Sequence, residues 1–499
     1  MPAVGGTAYR YRIAGVLVGA LLLSPVIYSD LYDDAYIHAR IAENWVSYGA
    51  PVFNEGAVFK ASSSTGFVLL IALLRPLFGT IGAIRAIESL AIFATVYGLF
   101  HWISLSAQRR AAKLWVAVAA LPAVLLAAYG GMETPIVCAL LVAAALLHGR
   151  GRDGAVVFLI ALCTWFRFEA IWLLLVMAFY YAHSRKSTRI LLYAAPFAML
   201  IATELYLLGE IVPQAARIKS VAYGFPLRNS LRNVLSFDLM PYGYLIGALL
   251  LVLFAGHAVT VARNRWRLEL PDVLLMFSAA VMGAWIVGRT VVFPWYYCLL
   301  TFPFAVATMV LVDEASSRTP RLLVRLHYVA VAVFCVLGAT KAWATFGVTG
   351  EDHVNLRVYR YRDIGTALFA HCPTCTVVSS EVGGLGYAFK GRVYDAFGLG
   401  DPDAARFHPL KVPEERRGYW VGAIPPEYVR YRDPDYVVSM PLFSEALRRS
   451  AVLGAYQAYD CALDPSGSLK LFGDTKIQVF SKSPIANAVL DRMRCSTHQ

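Results

Sequence analysis

Two adjacent carboxylates, Asp33 and Asp34, follow the first apolar run of the chain. Neighbouring carboxylates at a boundary between water and membrane repel one another, and the repulsion raises the proton affinity of one of them. A carboxylate of raised proton affinity suits general-base chemistry. An acid before an amphipathic run is also a good helix start. The pair therefore predicts a catalytic base, a helix start, or both at the same place.

Three charged residues lie close to predicted hydrocarbon, and they form a second group of candidates. Glu133 stands in a tight loop with Thr134 and Pro135, a composition typical of a helix start. Arg167 and Glu169 interrupt a long apolar stretch. Charges held this near the membrane core indicate a functional site, and ion pairing within the protein is an equally good explanation. We keep both readings.

Hydroxyl and aromatic residues form a third group. Ser63 and Ser64 belong to a hydroxyl-rich segment that suits hydrogen bonds to a sugar or phosphate, or the cap of the helix that follows. Trp295 and Tyr296 belong to an aromatic run that suits either an interfacial belt or the path of an isoprenoid chain.

The composition indicates a membrane protein. The chain has 499 residues, of which 58% are hydrophobic and 16% charged, and its mean hydropathy is +0.56. Soluble domains carry about 25% charged residues. The net charge of +12 does not indicate nucleic-acid binding, because the Lys and Arg residues lie largely in short loops between apolar runs. Neither a P-loop, nor a complete Gly-rich dinucleotide fingerprint, nor a His-Glu-x-x-His sequence occurs, so nucleotide-sugar and zinc-hydrolase mechanisms have no support.

Apolar segments predict about eleven transmembrane helices. They are residues 13–29, 82–106, 113–129, 134–148, 154–167, 168–182, 190–208, 242–261, 272–288, 293–312 and 322–346. With a cytoplasmic N-terminus, five basic loops fall on the cytoplasmic side, as the positive-inside rule requires. Residues 30–81, which we call the first loop, then lie on the outer side. The other outer segments are residues 130–133, the junction near residues 167–169, residues 209–241, residues 289–293 and everything after about residue 347.

Two choices decide this topology. Residues 154–182 as one helix would be about 44 Å long, too long for a bilayer core of about 30 Å, so we predict two helices that meet at residues 167–169. Residues 67–79 form a short apolar run that Arg75 and Pro76 interrupt. We predict an interfacial or re-entrant helix there, because a further span would reverse every later loop.

The chain after residue 347 predicts a separate α/β domain. Alternating segments such as 376–379, 392–395 and 436–439 indicate strands between Gly- and Pro-rich turns and helix-like stretches. We place the domains at residues 1–347 and 348–499. Four of the eight cysteines follow residue 350, and they favour one or two disulfides in an oxidising compartment over free thiols. The four earlier cysteines lie in apolar runs as small core residues.

The order of these motifs resembles the lipid-linked-sugar glycosyltransferases of the GT-C superfamily. The resemblance rests on Asp33-Asp34-Ala-Tyr-Ile, Val52-Phe-Asn-Glu-Gly56, Ser63-Ser64, Gly131-Met-Glu-Thr134, Arg167-Phe-Glu169, residues 209–219 and residues 293–297. It covers roughly residues 10–310, and the segments 377–383 and 395–401 resemble the family's outer domain. The closest likeness is to the arabinofuranosyltransferases that cap cell-wall arabinan.

This resemblance implies a mainly α GT-C membrane fold with an outer α/β domain, and an inverting transfer from a polyprenyl-phosphate sugar to a glycan or glycolipid. Asp33 would be the base, with Asp34 supporting it or taking that role. Arg217, Lys219 and Arg289 would neutralise the departing phosphate. The candidates for sugar or acceptor contacts are Tyr36, His38, Ser63, Ser64, Glu133, Arg167, Glu169, Trp295 and Tyr296.

The remaining expectations concern substrates and place. The chain has Ser-Ser-Thr-Gly-Phe at residues 63–67 and Pro-Gln-Ala at residues 213–215, where relatives have other residues, so the donor sugar stays open between arabinofuranose and a hexose such as mannose. A transporter of lipid-linked sugars is the alternative from another class, although polar residues gather at helix ends and not at the midplane. No protein-bound metal or cofactor is assigned, and a divalent cation stays open. We expect a multi-pass protein of the inner (plasma) membrane with an extracytoplasmic active site.

Overall fold

A computed structural model describes most of the chain. The described residues are 3–28, 31–106, 109–185, 189–222, 226–236, 243–263, 268–290, 292, 294–314, 320–346, 354–410, 423–464 and 474–497. They divide into a helical part up to Phe346 and an α/β part from Val354 onwards.

The helical part contains fourteen α-helices within the described residues. They are α1 (Ala3–Tyr28), α2 (Asp33–Tyr48), α3 (Thr65–Leu105), α4 (Arg110–Tyr129), α5 (Thr134–His148), α6 (Asp153–Phe166), α7 (Ala170–Arg185), α8 (Ala195–Leu208), α9 (Gln214–Ala222), α10 (Leu227–Ser236), α11 (Gly243–Arg263), α12 (Leu270–Val287), α13 (Cys298–Glu314) and α14 (Arg321–Phe346). Short 3₁₀ helices at Arg189–Ala194 and Pro294–Tyr297 precede α8 and α13.

Each of the eleven predicted apolar segments coincides with a helix or with a 3₁₀ helix continued by an α-helix. Among the described residues, four helices are long and apolar enough to cross a membrane: Thr65–Leu105, Arg110–Tyr129, Leu191–Leu208 and Leu270–Val287. Shorter apolar helices lie at 134–148, 153–166, 170–181, 247–263 and 298–312. The protein is therefore a multi-pass membrane protein.

The long apolar stretches are interrupted at two places. The junction predicted at residues 167–169 is found, whereas an interfacial or re-entrant position of residues 67–79 stays a prediction. Helix α3 changes direction at Gly79, whose φ of 70° and ψ of 169° interrupt the helical backbone. This left-handed φ suits glycine, which has no Cβ to clash with its own backbone. Helix α6 ends at Phe166 and α7 begins at Ala170, so Arg167, Phe168 and Glu169 form the junction between them.

The α/β part has one mixed sheet. Among the described residues it contains β1 (Thr376–Ser379), β2 (Arg392–Asp395), β3 (Tyr436–Ser439), β4 (Gln457–Ala462), β5 (Lys476–Ser481) and β6 (Cys495–Thr497), in the order β2-β1-β3-β5-β4-β6. The described helices are α15 (Val354–His371), α16 (Gly383–Ala388), α17 (Pro426–Arg432), α18 (Glu445–Arg448) and α19 (Asn487–Met493), with 3₁₀ helices at Pro402–Phe407 and Ala451–Ala455. The predicted α/β class and three predicted strands are confirmed.

The first three strands of the sheet run parallel to one another. Strand β1 pairs in parallel with β2 and with β3, whereas β5 pairs antiparallel with β3 and β4. The carboxyl ends of β1, β2 and β3 therefore share one edge. Open α/β sheets bind ligands at this edge. Helix α16 follows β1 there and packs against α2 of the helical part.

Both disulfides lie in the α/β part, as the sequence predicts. They join Cys372 to Cys375 and Cys461 to Cys495. The second disulfide ties β4 to β6, which pair at this point of the sheet. Cys138, Cys163 and Cys298 are free and buried, in agreement with their prediction as core residues.

Candidate active site

Asp34 lies in the first turn of α2, close to charged groups from other helices. Its side chain is partly buried. Burial alone would lower the pKa of Lys219, but the contact with Tyr296 and the negative charge of Asp34 outweigh burial and raise it. Lys219 therefore stays charged beside the carboxylate. Asp34 and a predicted phosphate-binding cation are thus close enough to interact electrostatically.

Lys219 on α9 is buried against an aromatic ring. Its side chain is 7% exposed, and Nζ donates a hydrogen bond to the hydroxyl of Tyr296. The Tyr296 ring stacks on Trp285, with 6.0 Å between ring centroids, and lies 4.9 Å from Cζ of Arg167. An ammonium group with this support is held in position against the ring.

Arg167 joins two acidic candidates into one network. Nη1 lies 2.6 Å from Oε1 of Glu133, Nη2 lies 2.6 Å from Oε1 of Glu169, and Nε lies 3.1 Å from Oε2 of Glu169. Arg167 is 2% exposed. The guanidinium thus meets two carboxylates, so its charge is balanced within the protein. This network supports the ion-pairing reading of the three residues and locks the α6–α7 junction to the start of α5.

His38 extends the same network towards the first loop. Its Nδ1 lies 3.0 Å from Oγ of Ser62, and its Nε2 lies 3.7 Å from Oε2 of Glu133. Burial lowers the pKa of His38, against the opposing charges of Glu133 and Asp34. The amide of Ser64 donates to Ser62 Oγ, and among the described residues the buried Ser64 hydroxyl has no partner. A polar ligand atom or a water would satisfy it.

Asp33 points away from this network, towards the α/β part. Its Oδ2 accepts a hydrogen bond from the amide of Gly383 at 2.8 Å, and its Oδ1 accepts one from Gly384, also at 2.8 Å. Burial raises the pKa of Asp33, against the lowering by these two amides and by Arg357. Both carboxylate oxygens are therefore bonded to α16. Asp33 joins the two parts of the chain, while the charge of Asp34 acts on Lys219.

Arg40 and Asn54 reinforce the same interface from the first loop. The buried Arg40 guanidinium donates to backbone carbonyls on both sides, at Phe53 (2.7 Å), Gly386, Phe389 (2.7 Å) and Gly391 (2.8 Å). The Asn54 amide pairs with the backbone of Val393, donating to its carbonyl at 2.7 Å and accepting from its amide at 3.1 Å. Neither contact could be inferred from the sequence, because the partners are more than 330 residues apart.

The other predicted site residues are placed more peripherally. The Tyr36 hydroxyl accepts a hydrogen bond from Arg362 of the α/β part at 3.1 Å, so Tyr36 belongs to the interface. Arg217 is half exposed and pairs with Glu210 at 2.6 Å. Arg289 is exposed at the end of α12, and Ser63 is partly exposed. The side chain of Trp295 lies outside the described residues.

A buried ion pair that sequence reasoning did not assign lies beneath the first loop. Lys60 Nζ is 2.5 Å from Oε1 of Glu204 on α8, and Thr65 donates to the same oxygen at 2.7 Å. Lys60 is 3% exposed and Glu204 1% exposed. The signal was available, since Glu204 is an isolated acid inside the predicted segment 190–208. An isolated charge in such a segment requires a partner.

No group of three or more His, Cys, Asp or Glu side chains within the described ranges is arranged to hold a metal ion. The site consists of one partly buried acid, one buried lysine and a network at helix ends in which Arg167 pairs with two carboxylates.

Comparisons with solved structures identify the fold. The chain is similar to the crystal structure of ArnT from Cupriavidus metallidurans bound to undecaprenyl phosphate, at a TM-score of 0.52 and 13% identity, over 97% of this chain and 99% of that one. The chain has the GT-C fold. The apo structure of the same ArnT matches at a TM-score of 0.52 and 13% identity, over 96% and 98% of the two chains. The apo oligosaccharyltransferase of Archaeoglobus fulgidus matches at 0.41 and 13%, over 90% and 73%.

Sequence comparisons add one family. Residues 352–480 match the model of a domain of unknown function, DUF8728. This match lies within the α/β part and covers too little of the GT-C chain to assign the whole. No curated protein matches the sequence at a significant level. The GT-C fold that the resemblance implied is thus confirmed by structure and not by close relatives.

Proposed function

We propose that this GT-C protein is an inverting glycosyltransferase that moves a sugar from a polyprenyl-phosphate carrier to a glycan acceptor outside the cytoplasm. The observation that carries the proposal is the buried Lys219, which is hydrogen-bonded to Tyr296 and within electrostatic reach of Asp34. A fold shared with ArnT, whose structure was solved with undecaprenyl phosphate bound, supports a lipid-phosphate donor. Arabinofuranose is the sugar that the resemblance favours.

In this proposal Asp34 is the general base. The charge of Asp34 acts on Lys219, while both oxygens of Asp33 are engaged by the amides of Gly383 and Gly384. Asp34 takes the proton from the acceptor hydroxyl as that oxygen attacks the anomeric carbon. The bond between the anomeric carbon and the phosphate oxygen breaks, and the polyprenyl phosphate departs with the electron pair. Base and phosphate lie on opposite faces of the sugar, so the configuration inverts.

Lys219 is the proposed partner of the departing phosphate. Arg167 is engaged by Glu133 and Glu169, and Lys219 is buried, hydrogen-bonded to the Tyr296 hydroxyl and acted on by the negative charge of Asp34. A fixed ammonium group in a water-poor site stabilises the charge that develops on the phosphate. Arg167 and its two carboxylates act as the rigid support that holds Tyr296 and the helix ends around it.

The proposal is tested by transfer from a defined lipid donor. Purified protein in nanodiscs is supplied with polyprenyl-phosphate arabinofuranose, polyprenyl-phosphate mannose or a nucleotide sugar, together with an arabinan or mannan acceptor, and products are analysed by mass spectrometry. We expect an extended acceptor with a lipid donor and none with the nucleotide sugar. Absence of product with every lipid donor and acceptor contradicts the proposal.

The role of Lys219 is tested separately by Lys219→Ala. We expect the KM for the lipid donor to rise by about tenfold or more while the KM for the acceptor changes little, since a hydrogen bond to a charged group contributes about 1.5–3 kcal/mol. Arg228→Ala, which removes an exposed cation on α10, is the matched control for the loss of one positive charge. Equal rises in both KM values for Lys219→Ala would argue against a phosphate contact.

A further inference from the structure

The α/β part is hydrogen-bonded to the start of α2, the segment of the first loop that contains the proposed base. Both carboxylate oxygens of Asp33, the residue next to the proposed base, accept hydrogen bonds from the backbone amides of Gly383 and Gly384. An added Cβ on Gly383 would lie 1.9 Å from the carbonyl oxygen of Asp33. The two backbones are therefore in direct contact. Side chains that precede Gly383 are held close to Asp34 by this contact.

Glu381 is the charged residue that the contact brings to the site. It follows the end of β1, two residues before Gly383, at the edge where the three parallel strands end. Its Oε2 lies 3.2 Å from Nε of Arg357 on α15, and its side chain is 13% exposed. The amide of Glu381 donates to Ser379 Oγ at 3.1 Å, which fixes its backbone. The Glu381 carboxylate is thus fixed by Arg357 and by its own backbone, and its side chain is partly exposed.

A second polar group beside Glu381 awaits a ligand. The hydroxyl of Ser380 is buried, and among the described residues it has no hydrogen-bond partner. Buried hydroxyl groups are normally bonded, so a ligand or a water is required at this position. Ser380 and Glu381 stand at the carboxyl end of β1, the edge at which open α/β sheets bind ligands.

Electrostatics link Glu381 to the proposed base. Burial raises the pKa of Glu381 to about 7, and the charges of Asp33 and Asp34 act in the same direction, against the lowering by Arg357. The charge of Asp34 thus acts on both Lys219 of the helical part and Glu381 of the α/β part. A carboxylate repels a phosphate and accepts hydrogen bonds from sugar hydroxyls, so the two neighbours suit different substrates.

We infer that Glu381, supported by Arg357, binds the hydroxyl groups of the acceptor sugar and orients the attacking hydroxyl towards Asp34. The inference deepens the proposed glycosyl transfer and rests on it for the identity of the acceptor. Glu381 accepts hydrogen bonds from hydroxyls that do not react, and Asp34 alone takes the proton of the hydroxyl that does. The α/β part is in this way a specificity domain that recognises a neutral carbohydrate.

The first test measures kinetics with Glu381→Gln, which keeps the shape and removes the charge. We expect the acceptor KM to rise about 10- to 100-fold, the range for a lost hydrogen bond to a charged group, with an unchanged donor KM. Glu427→Gln, at an exposed acid of the same domain, is the control and should match the wild type. Equal changes in donor and acceptor KM for Glu381→Gln, or none, overturn the inference.

The second test needs no donor and so separates this inference from the proposed transfer. Arabino- and manno-oligosaccharides are titrated by calorimetry into wild-type protein, Glu381→Gln and Glu427→Gln in detergent, with the melting temperature of each variant recorded. We expect one oligosaccharide to bind wild type and Glu427→Gln alike and to bind folded Glu381→Gln about tenfold or more weakly. Equal affinity for Glu381→Gln and wild type, or no binding to the wild type, overturns the inference even if transfer occurs. If the oligosaccharide binds as expected but no lipid donor gives a product in the transfer assay, only the proposed glycosyl transfer is rejected.

Discussion

Gly383→Ala is the sharpest test of the contact between the two parts of the chain. The added Cβ would lie 1.9 Å from the carbonyl oxygen of Asp33 and 2.6 Å from its Cγ. Backbone atoms cannot move aside as a flexible side chain can, so the contact must open. Opening separates the Asp33 carboxylate from the amides of Gly383 and Gly384 and shifts the first turn of α2, which contains Asp34.

The magnitude follows from these two losses. Overpacking costs about 1–3 kcal/mol, and a hydrogen bond to a charged group contributes about 1.5–3 kcal/mol, so we expect a loss of at least about 3 kcal/mol. For a domain of about 150–250 residues, each kcal/mol lowers the melting temperature by about 2–4 °C, so a loss of about 3 kcal/mol gives a drop of at least about 6 °C. Transfer activity should fall as well, because the base is displaced.

The assay is thermal melting of purified protein in detergent, followed by the transfer measurement on the same samples. Gly454→Ala is the matched control, since an added Cβ at Gly454 of the same domain would meet no atom within 4 Å. We expect the control to melt and react like the wild type. If Gly383→Ala and Gly454→Ala have the same melting temperature, the stability of the protein does not depend on the contact at Asp33. The proposed role of Asp33 in joining the two parts is then refuted.

Two further predictions concern buried charges. Burial raises the pKa of Asp395 to about 7, against the lowering by the amides of Gly400 and Phe397; its ordinary value is 3.8. The folded state therefore binds the Asp395 proton more tightly than the unfolded state does. This difference stabilises the fold by up to about 4 kcal/mol near pH 4, and the stabilisation is lost as the pH rises through 7. Melting temperatures across this range should fall more for wild type than for Asp395→Asn, and parallel curves would contradict this. Lys60→Met leaves Glu204 buried without its cation, so its free energy of unfolding, measured by chemical denaturation, should fall by about 3–5 kcal/mol. The double variant Lys60→Met with Glu204→Met should recover most of this loss. An equal loss in the single and the double variant would show that the two charges are not coupled.

Much of the fold was predictable because local physics decides it. Apolar segments of spanning length predict helices regardless of their neighbours, and alternation predicts strands such as 376–379 and 436–439, whose bounds the structure reproduces. The junction at Arg167 and Glu169 was predictable from length alone, since one helix would have been too long for the bilayer. The order of the strands in the sheet was not predicted, because pairing joins segments far apart in the chain.

The candidate site was predictable in its residue types and less so in their roles. Sequence adjacency offers no means to distinguish Asp33 from Asp34, since the amides that engage Asp33 lie 350 residues away. Arg167, Glu133 and His38 come together as proposed, but as a network that largely satisfies itself. Glu381 follows a predicted strand and belongs to segment 377–383, which resembles the family's outer domain, but the sequence assigned it no role. Its approach to the acids depends on contacts between segments about 350 residues apart.

The central claim is that Asp34, and not Asp33, accepts the proton of the attacking hydroxyl beside Lys219. The most direct measurement compares single-turnover transfer rates of Asp34→Asn and Asp33→Asn in nanodiscs with saturating lipid donor and acceptor. The account predicts that Asp34→Asn loses about 10²- to 10⁴-fold in rate, the range for a general base, while still binding donor. Asp33→Asn should keep a much larger share of its rate and lose melting temperature instead. A nearly normal rate for Asp34→Asn, together with an inactive but fully stable Asp33→Asn, would contradict the account.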